Sequence, residues 1–165
     1  MFWLILEHIV KYLLIRHGET DANRATRVLY GKKGAPLNAS GVEQAIKLRE
    51  LLQQRGIDSH HEPVAVSELI RTQQTAHYAG FRTLKTYPLL NEVRTDDPQK
   101  TGALIARAIV PEQALAAAQA VLADPPLEKV WVTHGLLITA LFRLLDLPSP
   151  AGFIPGFCEI REISF

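Results

Sequence analysis

The sequence predicts an α/β fold: a three-layer α/β/α sandwich with a mostly parallel central sheet, helices on both faces and a short lid segment. Three observations point there. Tyr12-Leu13-Leu14-Ile15, Val64-Ala65-Val66 and Val130-Trp131-Val132 are short apolar runs, each ending in a turn with a helix opening just beyond it. Such runs read as strands buried on both faces of a parallel sheet. The intervening segments carry helical apolar periodicity and end signals, and 165 residues suit a single domain over 1–165 with a real core.

Taken in order, the chain opens on Met1-Phe2-Trp3-Leu4-Ile5-Leu6, which is apolar but interrupted by Glu7, His8 and Lys11. That is well short of the ~20 apolar residues of a membrane span. The positive leader of a signal peptide is also missing. Residues 1–10 are therefore expected to be an extension ahead of the first strand: an added strand, an interface or an extended start. After the strand at Tyr12–Ile15, Asn38 or Ser40 can cap a helix, Ser40 with Glu43 as a capping box. Val42, Ala45, Ile46, Leu48, Leu51 and Leu52 give that helix an apolar face, and Gly56 ends it. His60-His61 reads as a solvated turn rather than a metal site.

Beyond the strand at Val64–Val66, Ser67 is expected to cap a helix that carries Arg71 in its first turn and stops at Gly80. The stretch from Glu92 to Asp97 reads as a loop. Pro111-Glu112 opens an alanine-rich helix that Asp124-Pro125-Pro126 closes. A strand at Val130–Val132, an apolar helix from Gly135 to Leu145 and a final strand from Phe157 to Phe165 complete the chain. No repeats, low-complexity tracts or linkers stand out.

The chemistry sits at strand ends. Arg16-His17-Gly18-Glu19-Thr20 directly follows the first strand, and Asn23 lies just beyond. A histidine flanked by arginine and glycine there can be a nucleophile beside a cation that gathers phosphate oxygens. Ligands of open parallel sheets bind in the crevice at the carboxyl ends of the strands. His17, Arg71 and His134 would all face it. Histidine must be neutral to attack, and the charges of Arg16 and Arg71 favour the neutral ring. Arginine suits phosphate because its planar fork meets two oxygens at once.

Five blocks in this order resemble the histidine phosphatase superfamily, which includes phosphohistidine-type phosphoglycerate mutases and small phosphatases. They are Arg16 to Thr20 with Asn23; Gly31 with Pro36-Leu37 and Gly41 to Ala45; Ser67 to Ala76; Leu90-Asn91-Glu92; and Thr133-His134-Gly135. The resemblance implies a phosphate pocket of Arg16, His17, Arg71 and His134, with His17 the nucleophile that becomes phosphorylated. It implies Glu92 as the proton donor, with Asp96 and Asp97 next in line, and Thr20 and Asn23 as auxiliary phosphate contacts. Burial is expected to raise the Glu92 pKa while the arginines pull it down. Thr20 and Asn23 could equally shape the loop and cap the following turn.

Where the family's phosphoglycerate-acting branches and many of its phosphatases have a Gly- and Trp-rich stretch, this chain has Val93-Arg94-Thr95-Asp96-Asp97. The segment from there to Lys129 is short, leaving little material for a lid. Mutases of the family carry longer inserts that grip a second phosphate, and their absence favours a metal-independent phosphomonoester phosphatase, with no cofactor. Phosphoglycerate mutase-type phosphoryl transfer, a phosphohistidine-protein phosphatase, a non-catalytic binding module and a metal hydrolase using His17 and His134 are the alternatives. With 18 Lys and Arg against 17 Asp and Glu, the +1 net charge gives no footprint for nucleic acid. Arg24, Arg27, Lys32 and Lys33 cluster after the first motif, as a solvated loop or a rim that attracts anionic substrates. The single Cys158 fits a reducing compartment and is expected to be inert. The expected partners are a phosphorylated small molecule or a phosphoprotein, with no membrane, in a cytoplasmic protein for which a homodimer is an option.

Overall fold

The structure, a computed structural model, describes residues 9–21, 32–149 and 152–165. Strands β1 (Lys11–Arg16), β2 (Val64–Val66), β3 (Leu84–Thr86), β4 (Val130–Thr133) and β5 (Ile160–Ser164) form one sheet in the order β3-β2-β4-β1-β5. The first four run parallel, and β5 pairs antiparallel with β1 at the edge. The helices are α1 (Ala39–Gln54), α2 (Ile70–Tyr78), α3 (Pro98–Ala106), α4 (Glu112–Ala123) and α5 (Gly135–Leu144). Among the described residues no helix is long and apolar enough to cross a membrane.

Side-chain alternation along the strands builds two cores, one on each face. Tyr12, Leu14, Ala65, Trp131 and Ile163 pack against Ala114, Ala118 and Val121 of α4 and Leu137, Ile138 and Leu141 of α5. Ile15, Val64, Val66, Val130 and Val132 pack on the other side against Ala45, Leu48 and Leu52 of α1 and Ala76 of α2. This is the expected three-layer sandwich. Trp131 can be fully buried because its indole N–H donates to the Glu128 carbonyl at 2.6 Å.

Several local expectations change. Asn38, not Ser40, caps α1, its side chain accepting from the Gly41 amide at 2.8 Å, while Ser40 lies inside the helix. The buried stripe of α1 is Gly41, Ala45, Leu48 and Leu52, and Ile46 and Leu51 are exposed. Gly56 ends the helix as expected, at a left-handed φ of 76°. Ser67 does not cap α2; Leu69 takes the cap position, and the Ser67 hydroxyl turns inward. The last strand starts at Ile160 rather than Phe157, because Cys158 at φ 55° makes a turn before it.

Two elements go beyond the sequence reading. β3 is a three-residue edge strand whose outer residues are exposed, too short for an alternation to register. α3 occupies the segment expected to leave little material for a lid. Asp97 is its cap, accepting from the Lys100 amide at 2.9 Å, and Pro98 fills its first position. Of the expected N-terminal extension, only Ile9 and Val10 are described; both are exposed, and the Val10 carbonyl accepts from the Phe165 amide at 3.4 Å.

The loop after β1 rests on the first turn of α1, backbone against backbone. A Cβ at Gly41 would lie 2.1 Å from the Glu19 carbonyl oxygen, and one at Gly18 would lie 2.7 Å from that of Gly41. Gly41→Ala is therefore expected to destabilise the fold by about 1–3 kcal/mol. Gly102, inside α3, has nothing within 4 Å of a built Cβ. Gly102→Ala should stabilise by about 0.5–1 kcal/mol. Urea unfolding of the two variants checks the contrast, and a neutral Gly41→Ala would mean that the loop sits elsewhere.

Candidate active site

The parallel strands β1, β2 and β4 end at one edge of the sheet, and their next residues meet there. His17 follows β1 and is anchored by its amide, which donates to the Thr133 carbonyl at 3.0 Å. The Gly18 amide donates to the Thr75 hydroxyl of α2 at 3.0 Å, and Thr75 donates onward to the Arg71 carbonyl at 2.7 Å. The histidine loop and the helix carrying Arg71 are thus tied together.

The His17 ring is buried. Its Nδ1 lies 2.7 Å from the Gly18 carbonyl, which can only accept, so Nδ1 carries the proton. Nε2 is then the bare nitrogen, and the Arg71 Nε–H donates to it at 3.2 Å. Both contacts select one tautomer. The ring's pKa is held down to about 3. Burial is the largest cause; the Gly18 carbonyl opposes it, and the charges of Arg71 and Arg16 act in the same direction as burial. The cations identified from sequence contribute, but desolvation outweighs them.

Arg16 is clamped from several sides. One terminal nitrogen donates to the Pro155 carbonyl at 2.7 Å, and the guanidinium carbon sits 4.2 Å from the centroid of the Phe157 ring. Gly135 gives it room: a Cβ there would come within 3.2 Å of Arg16 Nε. That Nε is buried with no protein partner. Sequence reasoning missed Phe157, because the left-handed turn at Cys158 that aims it into the site leaves no mark in an apolar pattern. Cys158 itself is buried, and burial pushes its thiol up to about 12, in keeping with an inert residue.

His134 lies beside His17, with ring centroids 5.2 Å apart. Its Nε2 contacts the Ser67 hydroxyl at 3.0 Å, while Nδ1 is buried without a protein partner. Its pKa is lowered well below 6.5, first by burial and then by His17, Arg71 and Arg16. Ser67 therefore positions this imidazole, a role its place before a helix did not suggest.

Glu92 is delivered by the 3-10 turn Pro88–Leu90. Thr133 donates to the Leu90 carbonyl at 2.7 Å, and Asn91 exchanges two hydrogen bonds with Glu68. Glu92 Oε2 meets an Arg71 terminal nitrogen at 2.5 Å. The expected burial of Glu92 does not occur: its side chain is 55% exposed, at a point where three clefts meet. One cleft, of about 250 Å³, is lined by Arg16, His17 and Glu92 among others. Asp96 and Asp97 line a separate cleft, Asp97 as a helix cap. Of the three carboxylates considered, Glu92 is the one that shares a cleft with His17.

Thr20 is buried, its backbone bridging to Leu37. Asn23, Gly31, Arg24 and Arg27 lie outside the described residues.

The fold and this crevice define an α/β protein with two imidazoles and two guanidinium groups gathered at the ends of parallel strands. The histidine phosphatase superfamily (branch 1) matches residues 12–108, more than half of the chain, and the chain belongs to that superfamily. It is 41% identical over 68 residues to a broad-specificity phosphatase of Saccharomyces cerevisiae, covering 41% of this chain and 28% of that protein. A protein of Enterobacter named a probable phosphoglycerate mutase is also 41% identical over 68 residues, or 41% of this chain and 29% of the other. The chain spans less than a third of the length of these two curated relatives. The crystal structure of a phosphoglycerate mutase from Thermus thermophilus superposes with a TM-score of 0.67 at 26% identity, covering 93% of this chain and 92% of that one.

The depressed His17 pKa has a consequence for stability. Unfolding returns the ring to about 6.5, so between that pH and about 3 the unfolded chain binds a proton that the folded chain refuses. Stability falls as pH drops through this window, by about 1.4 kcal/mol per pH unit. His17→Gln should therefore lose about 2 kcal/mol less than the parent between pH 7 and pH 5. Equal losses in urea unfolding would show that the folded ring protonates normally.

Proposed function

We propose that the protein is a metal-independent phosphatase of phosphate monoesters, acting through a phosphohistidine on His17. The observation that carries this reading is the neutral His17 ring, with Nδ1–H spent on Gly18 and the Nε2 lone pair held against Arg71. In the first step Nε2 attacks phosphorus and the bond to the ester oxygen breaks. The departing oxygen takes a proton from Glu92. Water then attacks the phosphohistidine, Glu92 accepts its proton, the N–P bond breaks, and phosphate leaves a neutral His17.

The cationic donors stabilise charge on the transferred oxygens. Arg71 offers its fork, for which the phosphoryl oxygens compete with Glu92. Arg16 offers its unpartnered Nε. If Ser67 donates to His134 Nε2, then His134 Nδ1–H is free to donate. Gly135, the first residue of α5, lines the same cleft, where a helix N-terminus favours an anion.

Phosphoglycerate mutase-type transfer is the second reading. It is favoured by Lys32 and Arg94, which line a cleft of about 480 Å³ with Arg71 and could hold a second anionic group.

Rapid quench with labelled monoester should trap an acid-labile, base-stable phosphoenzyme that His17→Ala abolishes, and chelator should leave turnover intact. Parental turnover in His17→Ala would remove the nucleophile assignment. Arg71→Ala should cost about 10²–10³ in kcat, by analogy with the loss of one oxyanion donor, and Arg71→Lys should recover only part. A loss under about threefold would place Arg71 outside the reaction.

Glu92→Gln should slow alkyl phosphates far more than p-nitrophenyl phosphate, whose leaving group needs little protonation. Equal slowing of both substrate types would reduce Glu92 to shaping the site.

A further inference from the structure

Three clefts meet at Glu92 and Val93, and one of them holds the candidate nucleophile. The largest of the three is lined by both members of the Arg71–Glu92 ion pair and is cationic, with Lys32 and Arg94 also around it. The one that holds His17 and Arg16 is also lined by Glu92, Thr95 and Thr101, and by four aliphatic side chains. Val93 follows Glu92 directly. Ile105 and Thr101, one turn apart on α3, face it together. Leu136 comes from the first turn of α5. Ile154 is braced on the Gly135 backbone, where a built Cβ would meet its Cγ2 at 2.7 Å.

Val93, Ile105, Leu136 and Ile154 are all half-buried. Four partly exposed aliphatic side chains around the cleft of a candidate nucleophile offer apolar surface that a ligand can remove from water. α3 buries none of its residues completely, so Ile105 is not needed to fill a core.

We propose that Val93, Ile105, Leu136 and Ile154 form the subsite for the substrate's alcohol, and that this alcohol is compact and apolar, a short alkyl chain or a single aromatic ring. The inference rests on the phosphatase reading for its reacting group. The geometry selects this cleft over the cationic one because His17 and Arg16 line it and do not line the other. An ester bound with phosphorus at His17 and its alcohol in the same cleft lays that alcohol against the aliphatic wall. A second carboxylate or phosphate on the alcohol would have to be desolvated there.

Turnover of phenyl phosphate, butyl phosphate and 2-phosphoglycolate, together with calorimetric binding of phenylphosphonate and phosphonoacetate, tests this. kcat/KM for phenyl and butyl phosphate should exceed that for 2-phosphoglycolate at least tenfold, and phenylphosphonate should bind more tightly than phosphonoacetate. Ile105→Ser, and independently the isosteric Val93→Thr, should cut kcat/KM for the apolar esters about three- to tenfold. The same variants should change 2-phosphoglycolate less than twofold.

Preference for 2-phosphoglycolate, lost in Lys32→Ala/Arg94→Ala, would overturn the proposal and send the alcohol to the cationic cleft. Equal slowing of all esters in both wall variants would also overturn it. Absence of turnover on every ester, with phenylphosphonate still bound preferentially, would remove the phosphatase reading while leaving the subsite in place. If neither turnover nor preferential binding occurs, both fall.

Discussion

The contact between Arg71 Nε–H and the bare Nε2 of His17 sets the terms for the site around it. A guanidinium 3.2 Å from an imidazole nitrogen attracts it only while the ring is neutral, since a protonated ring would turn the contact into a repulsion between buried cations. Burial and the charges of Arg71 and Arg16 enforce neutrality, while the Gly18 carbonyl opposes them and fixes the one remaining proton on Nδ1. Holding this geometry is why the loop after β1 is pinned to α2 through Thr75 and pressed on α1 at a point where only glycine fits.

The crevice gathers two guanidinium groups, and the protein accommodates them by dispersing each among different partners. Arg71 shares itself between an imidazole and Glu92. Arg16 divides between a carbonyl and an aromatic face, leaving Nε unmatched. Buried polar atoms without partners cost stability and are found where a ligand supplies what the protein does not. Arg16 Nε and His134 Nδ1 stand in that position beside the same imidazole.

The wall of the site has a separate origin. α3 caps itself with Asp97, starts on Pro98 and lies over the cleft without a buried residue of its own. It brings aliphatic surface to a pocket whose floor is cationic. That division of labour suits a ligand with one charged and one apolar half. The segment expected to leave little material for a lid thus forms a helix whose Thr101 and Ile105 line the cleft.

The sequence by itself determined the layers and the strand ends. Strands buried on both faces read as unbroken apolar runs, α1, α2, α4 and α5 carry their own periodicity and stops, and Arg16, His17 and His134 follow directly from strands. Arg71 could be placed through its distance from β2 along a helix. Tertiary structure decided the rest. Whether Ser67 capped a helix or oriented an imidazole depended on β4 lying beside β2, a pairing 67 residues away in the chain. Phe157 reached Arg16 only through a left-handed turn, and Glu92 was left exposed because the turn before it hangs over the crevice. Desolvation, the dominant influence on His17, is a property of everything packed around the ring. Local pattern fixes what a segment is, because periodicity is local, whereas burial and charge at a point sum over neighbours that only the fold brings together.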